Sequence, residues 1–406
     1  MNKYIEKIKK SYHCERSEAI QSPAPCHCER SAAIQSNKVA LKFATILLTL
    51  SFLLSLTSCK KEEANPTQKP TIKIGVTLPL TGDVAEVGNI NKDTIVQALK
   101  DYGDTKFNYE LIFEDDMVLP KKGVMNTRYF INVKKVDAII SQWTPVAAVV
   151  SPLAQANEII HFTCAFGYKV AEGEYNFNNT TSFEEQSKVL VSKLKKENIK
   201  SLSYVVANTS GCVEQSEYVI NKLKENDIEV LDVNHCNPTE KDFRFMISKM
   251  EQKKPEYYIL CSISPATEIF LKDLELITGK RNVTSIDTFY EMNSQYRSQA
   301  NDLWFVSSAL GTDRFRTQLK NKINNEAVSC TANLYDSTKM LIAAYENAVA
   351  LNGEKPNKED VIDFLHNIKN YTDAMEDVSI DSDGFVQSKA NIAIIRDGNP
   401  VLLEEN

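Results

Sequence analysis

Histidine is scarce in this chain: there are five among 406 residues, and only His161, His235 and His366 follow Cys59. These three lie far apart, in a predicted strand, a strand end and a helix. None belongs to an H-E-x-x-H or similar metal spacing. A G-x-S-x-G nucleophile elbow is missing, and so is a G-x-x-x-x-G-K-[ST] phosphate loop. The convergent groups an enzyme needs are therefore lacking, and the expectation is a binding protein with no catalytic residues, no cofactor and no metal. Positive charge is also short, with 47 Lys and Arg against 54 Asp and Glu and a net charge of −7. Residues before Cys59 carry +4, which leaves −11 on the remainder. Nucleic acid is a poor partner for such a chain, because phosphate contacts need clustered Lys and Arg. After Cys59 no apolar run is long enough to span a bilayer, so a soluble mature part is expected.

The one long apolar run lies before Cys59. Residues 37–59 read NKVALKFATILLTLSFLLSLTSC. Lys38 and Lys42 form a short basic region, and Ala44 to Ser58 is uncharged and apolar, of the right length for a secretory signal. Leu56-Thr57-Ser58-Cys59 resembles a bacterial lipobox, in which the cysteine becomes the lipidated first residue of the mature protein. The polar run Lys60-Lys61-Glu62-Glu63 follows at once. Acyl chains suit anchoring, since each buried CH₂ contributes about 0.8 kcal/mol. Residues 37–58 are thus expected to be a lipoprotein signal peptide, and 59–70 the lipidated Cys59 with a polar linker. The mature protein is expected in the periplasm or cell envelope, held at a membrane. Upstream, HCERSEAIQS at 13–22 recurs as HCERSAAIQS at 27–36. Two copies cannot stack into a solenoid. His13-Cys14 and Cys26-His27-Cys28 are duplicated by the repeat rather than arranged by ligand spacing, so 1–36 reads as a repeat-derived extension.

Five of the nine cysteines follow Cys59: Cys164, Cys212, Cys236, Cys261 and Cys330. An oxidising compartment permits one or two bridges among an odd, scattered set, with at least one thiol left over. Cys164 and Cys261 fall in predicted strands, where a small buried hydrophobe is the plainer reading.

From residue 71 onward short apolar runs alternate with helical spacing. Strands are predicted at 72–78, 109–113, 136–140 and 159–163, with helices at 92–102, 121–133 and 146–157 between them. After a break near 178–182 a second series follows: helix 184–197, strand 202–207, helix 213–225, strand 228–233, helix 240–252, strand 257–261 and helix 266–277. Alternation of this kind implies parallel sheets covered on both faces. Two such series imply two doubly wound α/β/α lobes joined by hinge crossovers. The tail adds a strand at 303–306, three helical stretches of which 333–350 is the clearest with Gly353 as its stop, and closing strands at 392–395 and 401–403. Lobe 1 is expected to comprise 71–182 and 307–378, and lobe 2 183–306 and 379–406.

Three segments, in this order and spacing, carry a family resemblance: IKIGVTLPLTGDVAEVG, FEDDMVLPKKGV and VDAIISQWTPVAAVVSPLAQANEII. Over 71–403 the chain resembles the branched-chain amino acid type of solute-binding lipoprotein, the receptors of ABC importers, with a type I periplasmic-binding fold. That resemblance implies a small ligand, an amino acid or similar small polar or carboxylate compound, captured as two lobes close, an ABC permease complex as partner, and a monomer. Physics points to the same place, because open α/β sheets bind ligands beyond the carboxyl ends of their strands, where helix N-termini suit anions. In the first lobe this singles out Trp143 and Thr144 after strand 136–140, and Ala165, Phe166 and Gly167 after strand 159–163. The resemblance gives Thr144 a hydroxyl contact to a ligand carboxylate, beside the plainer reading of a helix N-cap. It gives Ala165 a backbone carbonyl for the ligand's amine. In the second lobe the corresponding residues are Ser210, Gly211 and Asp287, the last as acidic partner of the amine. The chain departs from the family where Gly167 lacks a hydroxyl and where Ser210 stands in place of a tyrosine. A rival use of the same fold is a sensor or envelope-assembly partner that binds another protein.

Overall fold

Short β-branched and apolar runs form the strands, and amphipathic stretches between them form helices that cover both sheet faces. The computed structural model describes residues 69–308, 310–348 and 354–403. The repeat, the signal peptide, Cys59, most of the linker and Gly353 lie outside the described residues.

The first sheet contains β1 (Thr71–Leu78), β2 (Asn108–Asp115), β3 (Ala138–Gln142), β4 (Ile160–Cys164) and β5 (Asn176–Asn178), in the order β2-β1-β3-β4-β5. All its pairings are parallel. β3 and β4 are buried along their whole length, as expected of strands covered on both faces. Its crossover helices are α1 (Ala85–Tyr102), α2 (Pro120–Tyr129) and α3 (Thr144–Ala156). Pro120 starts α2, where its fixed φ and missing N–H cost nothing.

The second sheet holds β6 (Ser201–Ala207), β7 (Glu229–Cys236), β8 (Tyr257–Cys261) and β9 (Val283–Ser285) in the parallel order β7-β6-β8-β9. Its helices are α4 (Phe183–Lys196), α5 (Ser210–Glu225), α6 (Arg244–Glu251), α7 (Ala266–Thr278) and the short α8 (Ser294–Arg297). A bridge from Ile286 to Val306 joins β9 to β10 (Trp304–Ser307). The chain then returns toward the first sheet through α9 (Asp313–Ile323), α10 (Thr331–Asn347), α11 (Lys358–His366) and the hairpin β11 (Ser379–Ile380) and β12 (Val386–Gln387). It crosses back to add β13 (Asn391–Arg396) and β14 (Asn399–Leu402) antiparallel beside β10.

Both sheets belong to one unit, Thr67–Asn406. One core is drawn from residues 72–177 and 315–386, the other from 190–310 and 390–395. The hairpin corrects the expected boundary at 378/379. Ile380 and Val386 pack in the first core, and Asn178 donates its N–H to the Gly384 carbonyl at 2.9 Å. Residues 379–387 therefore sit with the first sheet, because a buried two-residue strand needs that core to cover it.

Two other expectations change. Cys164 and Cys261 are not merely buried hydrophobes. Cys164 is bonded to Cys330 with Cα atoms 5.9 Å apart, and Cys261 to Cys212 at 5.6 Å. Cys236 is the free, buried thiol among the described residues. The helix expected at 333–350 ends at Asn347, where Ala348 turns extended. Among the described residues, no helix is long and apolar enough to cross a membrane.

Candidate functional site

In the order β2-β1-β3-β4-β5 the chain direction across the sheet reverses between β1 and β3, which opens a crevice at their carboxyl ends. The loop leaving β3 begins at Trp143, whose φ is +62°. A bulky residue there is strained and needs fixed partners. Its N–H donates to the Cys164 carbonyl at 2.8 Å, and its own carbonyl accepts from Ala147 N–H at 2.9 Å. Trp143 is thereby pinned between β4 and the start of α3, with its indole Nε1 buried and without a partner.

Thr144 opens α3 but does not cap it. Its hydroxyl donates to the Phe166 carbonyl and accepts from the Phe166 N–H, both at 3.0 Å. The N-cap position is Trp143, without a side-chain hydrogen bond. Asn178 of β5 clamps the next loop in the same manner: its Nδ2 donates to the Ala165 carbonyl at 2.8 Å and its Oδ1 accepts from the Ala165 N–H at 3.2 Å. The disulfide from Cys164 to Cys330 ties this loop to the start of α10.

The opposite wall belongs to the second sheet. Asp287 follows β9 with φ +55° and is 3% exposed. Its Oδ1 accepts from Ser308 N–H at 2.9 Å, and its Oδ2 has no partner among the described residues. Burial pushes this carboxyl up to about 6. Four residues on, in the same turn, Glu291 is held by its N–H to the Asp287 carbonyl at 3.0 Å. Burial, then the neighbouring Asp287, pushes Glu291 up to about 8. Its Oε1 accepts from the Ser329 hydroxyl on the first-sheet side at 3.2 Å. Ser329 is itself positioned by Asn91 of α1, whose Nδ2 donates to the Ser329 carbonyl at 2.9 Å and to Gln142 Oε1 at 3.1 Å.

Two contiguous cavities lie between these walls and share Trp143, Phe166 and Glu291. The inner one, beside Asp287 and the disulfide of Cys164, has room for about 10 Å³, one water-sized group. The outer one offers about 200 Å³ and is mostly apolar, with Val118 and Pro145 on one side and Ile263 and Pro265 on the other. Two carboxylates at the inner cavity, with an apolar space beside it, can orient a small molecule by one polar end.

Of the residues singled out from sequence, Trp143, Ala165, Phe166 and Asp287 line the inner cavity, and Thr144 and Gly211 join Trp143 and Phe166 on the outer one. Gly167 and Ser210 line neither. Gly167 turns with φ +102°, and a Cβ there would meet Glu214 Oε2 at 2.6 Å. It makes room for the α5 carboxylate, which accepts from Tyr168 N–H at 3.0 Å. Ser210 is the exposed first residue of α5, capped by Thr209. Sequence reasoning missed Glu291 and Ser329. A carboxylate four residues after Asp287 was a readable signal for the first; nothing local marks the second, which the fold brings from a distant segment. His161, His235 and His366 do not converge. His161 is buried, bonded to Ser141 Oγ at 2.8 Å and Asn176 Oδ1 at 3.0 Å, while His235 is exposed at the end of β7.

A family model described as periplasmic binding protein matches residues 71–399. Among curated proteins, none matches the chain in sequence. Solved structures do match in shape. A leucine-binding protein from Thermotoga maritima is 19% identical, with 82% of this chain and 98% of that one covered and a TM-score of 0.74. A branched-chain amino acid transporter substrate-binding protein from Streptococcus pneumoniae, in complex with isoleucine, is 17% identical over 81% and 97%, with a TM-score of 0.71. An ABC transporter solute-binding protein from Rhodopseudomonas palustris, in complex with 3,4-dihydroxybenzoic acid, is 18% identical over 82% and 96%, with a TM-score of 0.70. At these identities the likeness speaks for the fold.

Proposed function

The chain belongs to the periplasmic binding protein family, and from that premise we propose that it is an exported, lipid-anchored receptor that captures a small solute between its lobes and delivers it to an ABC importer. The observation that carries this reading is the pair of contiguous cavities roofed by residues of both sheets, with Trp143 and Phe166 facing Asp287 and Glu291. A ligand buried there touches both lobes at once, so binding energy favours the shut arrangement over any open one. Solutes of the right kind have one polar end and an apolar body, and the neighbours' leucine and isoleucine have that character. Thr144, Ala165 and Phe166 furnish the first-lobe contacts, Gly211 and Asp287 those of the second.

Two disulfides support export, because such bonds persist in oxidising compartments. Membrane attachment rests on the lipobox-like sequence ending at Cys59. A melting screen of the exported protein against amino acids, amides and short-chain acids tests the binding reading. A true ligand at 100 times its Kd adds about 2.7 kcal/mol of stability. No shift with any small solute, together with capture of a protein partner, would sink the receptor reading.

A further inference from the structure

We propose that the cleft selects an organic cation, a primary or substituted ammonium on an apolar body, and disfavours molecules that carry a carboxylate. This rests on the receptor reading above and deepens it by naming the solute class. Among the described residues, the charged ones lining the two cavities are Asp83, Asp287 and Glu291, all acidic, and no Lys, Arg or His lines either one. Asp287 is 3% exposed, lines the inner cavity, and leaves Oδ2 without a partner among the described residues. Its carboxylate is hydrogen-bonded by Ser308, a neutral donor, and that of Glu291 by the neutral Ser329 hydroxyl. Two enclosed carboxylates side by side, with no cation of the protein's own at the cavity wall, are costly unless a cation arrives with the ligand.

The groups that would cradle a carboxylate are already occupied. The Thr144 hydroxyl and the Phe166 N–H satisfy each other, the Ala165 N–H is held by Asn178, and Gly167 has no hydroxyl. Size points the same way. The inner cavity takes one water-sized group, which an ammonium is, whereas the ammonium and carboxylate of an amino acid cannot share it. Trp143 and Tyr290 add aromatic surface next to the carboxylates, and aromatic faces attract cations.

Calorimetric titration of the exported protein with four probes of one shape tests this: 3-methylbutylamine, leucinamide, leucine and 4-methylpentanoate. The amine and the amide are expected to bind at least tenfold tighter than leucine, and the acid not at all. Glu291→Gln and Asp287→Asn are each expected to weaken the two cations at least tenfold while far-UV circular dichroism stays unchanged. Tighter binding of leucine or of the acid than of the cations overturns the proposal and leaves the receptor reading intact. Absence of binding by both cations, or cation affinity that survives both substitutions, also overturns it. Silence from all four probes and from a broad solute screen removes both readings together.

Discussion

Glu291 is where a single ionisable group has the widest consequences. Its folded-state value near 8 lies above the ordinary glutamate range, so it favours the native state when protonated. That contribution is present below about pH 4.5 and is lost as pH rises through 8. Asp287, pushed up to about 6, titrates beside it with the same sign; Tyr290 lines the same wall, and the buried Arg297 guanidinium lies behind it, 5.8 Å from its ring and outside the lining of both cavities. Glu291→Gln is therefore expected to raise the stability of the ligand-free protein at pH 9, on the order of 2 kcal/mol after allowance for partial exposure, and to change it little at pH 5. Melting curves at the two pH values check this, and an equal effect at both would show that the carboxylate is not confined. His161 acts with the opposite sense. Burial holds it down to about 4, so the unfolded chain takes up a proton first, and stability falls as pH drops from about 6.5 to 4.

At the scale of elements, the cleft is defined by how closely the N-terminus of α5 approaches the first lobe. A Cβ on Gly211 would meet Thr144 Oγ1 at 2.9 Å and Phe166 Cβ at 3.1 Å. Gly211→Ala is expected to wedge the lobes apart, weakening solute binding at least tenfold while leaving each lobe folded. Small-angle scattering of the variant with solute should show a larger radius of gyration than the parent with solute; identical curves would mean that α5 does not set closure. The two disulfides brace the cleft walls, one joining β4 to the start of α10 and the other β8 to α5. Removing either by paired Cys→Ser substitution is expected to cost about 2–5 kcal/mol in denaturant unfolding. Most of these elements were legible in the sequence, because buried parallel strands read as apolar runs and their crossover helices as periodic ones. β5, β9 and the β11–β12 hairpin were not. Two or three residues carry too little periodicity to register, and their pairing depends on neighbours far away in sequence. The site divided in the same way. Trp143, Ala165 and Asp287 follow strand ends that could be located, whereas Ser329 and the partners of the cysteines depend on long-range packing.

For the whole molecule, the net negative charge after Cys59 and an acidic cleft between the two sheets agree with the proposed solute receptor; lipid attachment is tested separately. Cys59→Ser is expected to move the protein from the membrane fraction to the soluble fraction without altering its melting temperature; continued membrane association would remove the anchor from this picture. Lobe closure around a solute is the central claim, and a crystal structure of the protein grown with the solute that most raises its melting temperature tests it most directly. The expected result is density for that solute between Trp143 and Phe166 on one side and Asp287 and Glu291 on the other. Density at an outer surface, with the cleft holding only water, would contradict it.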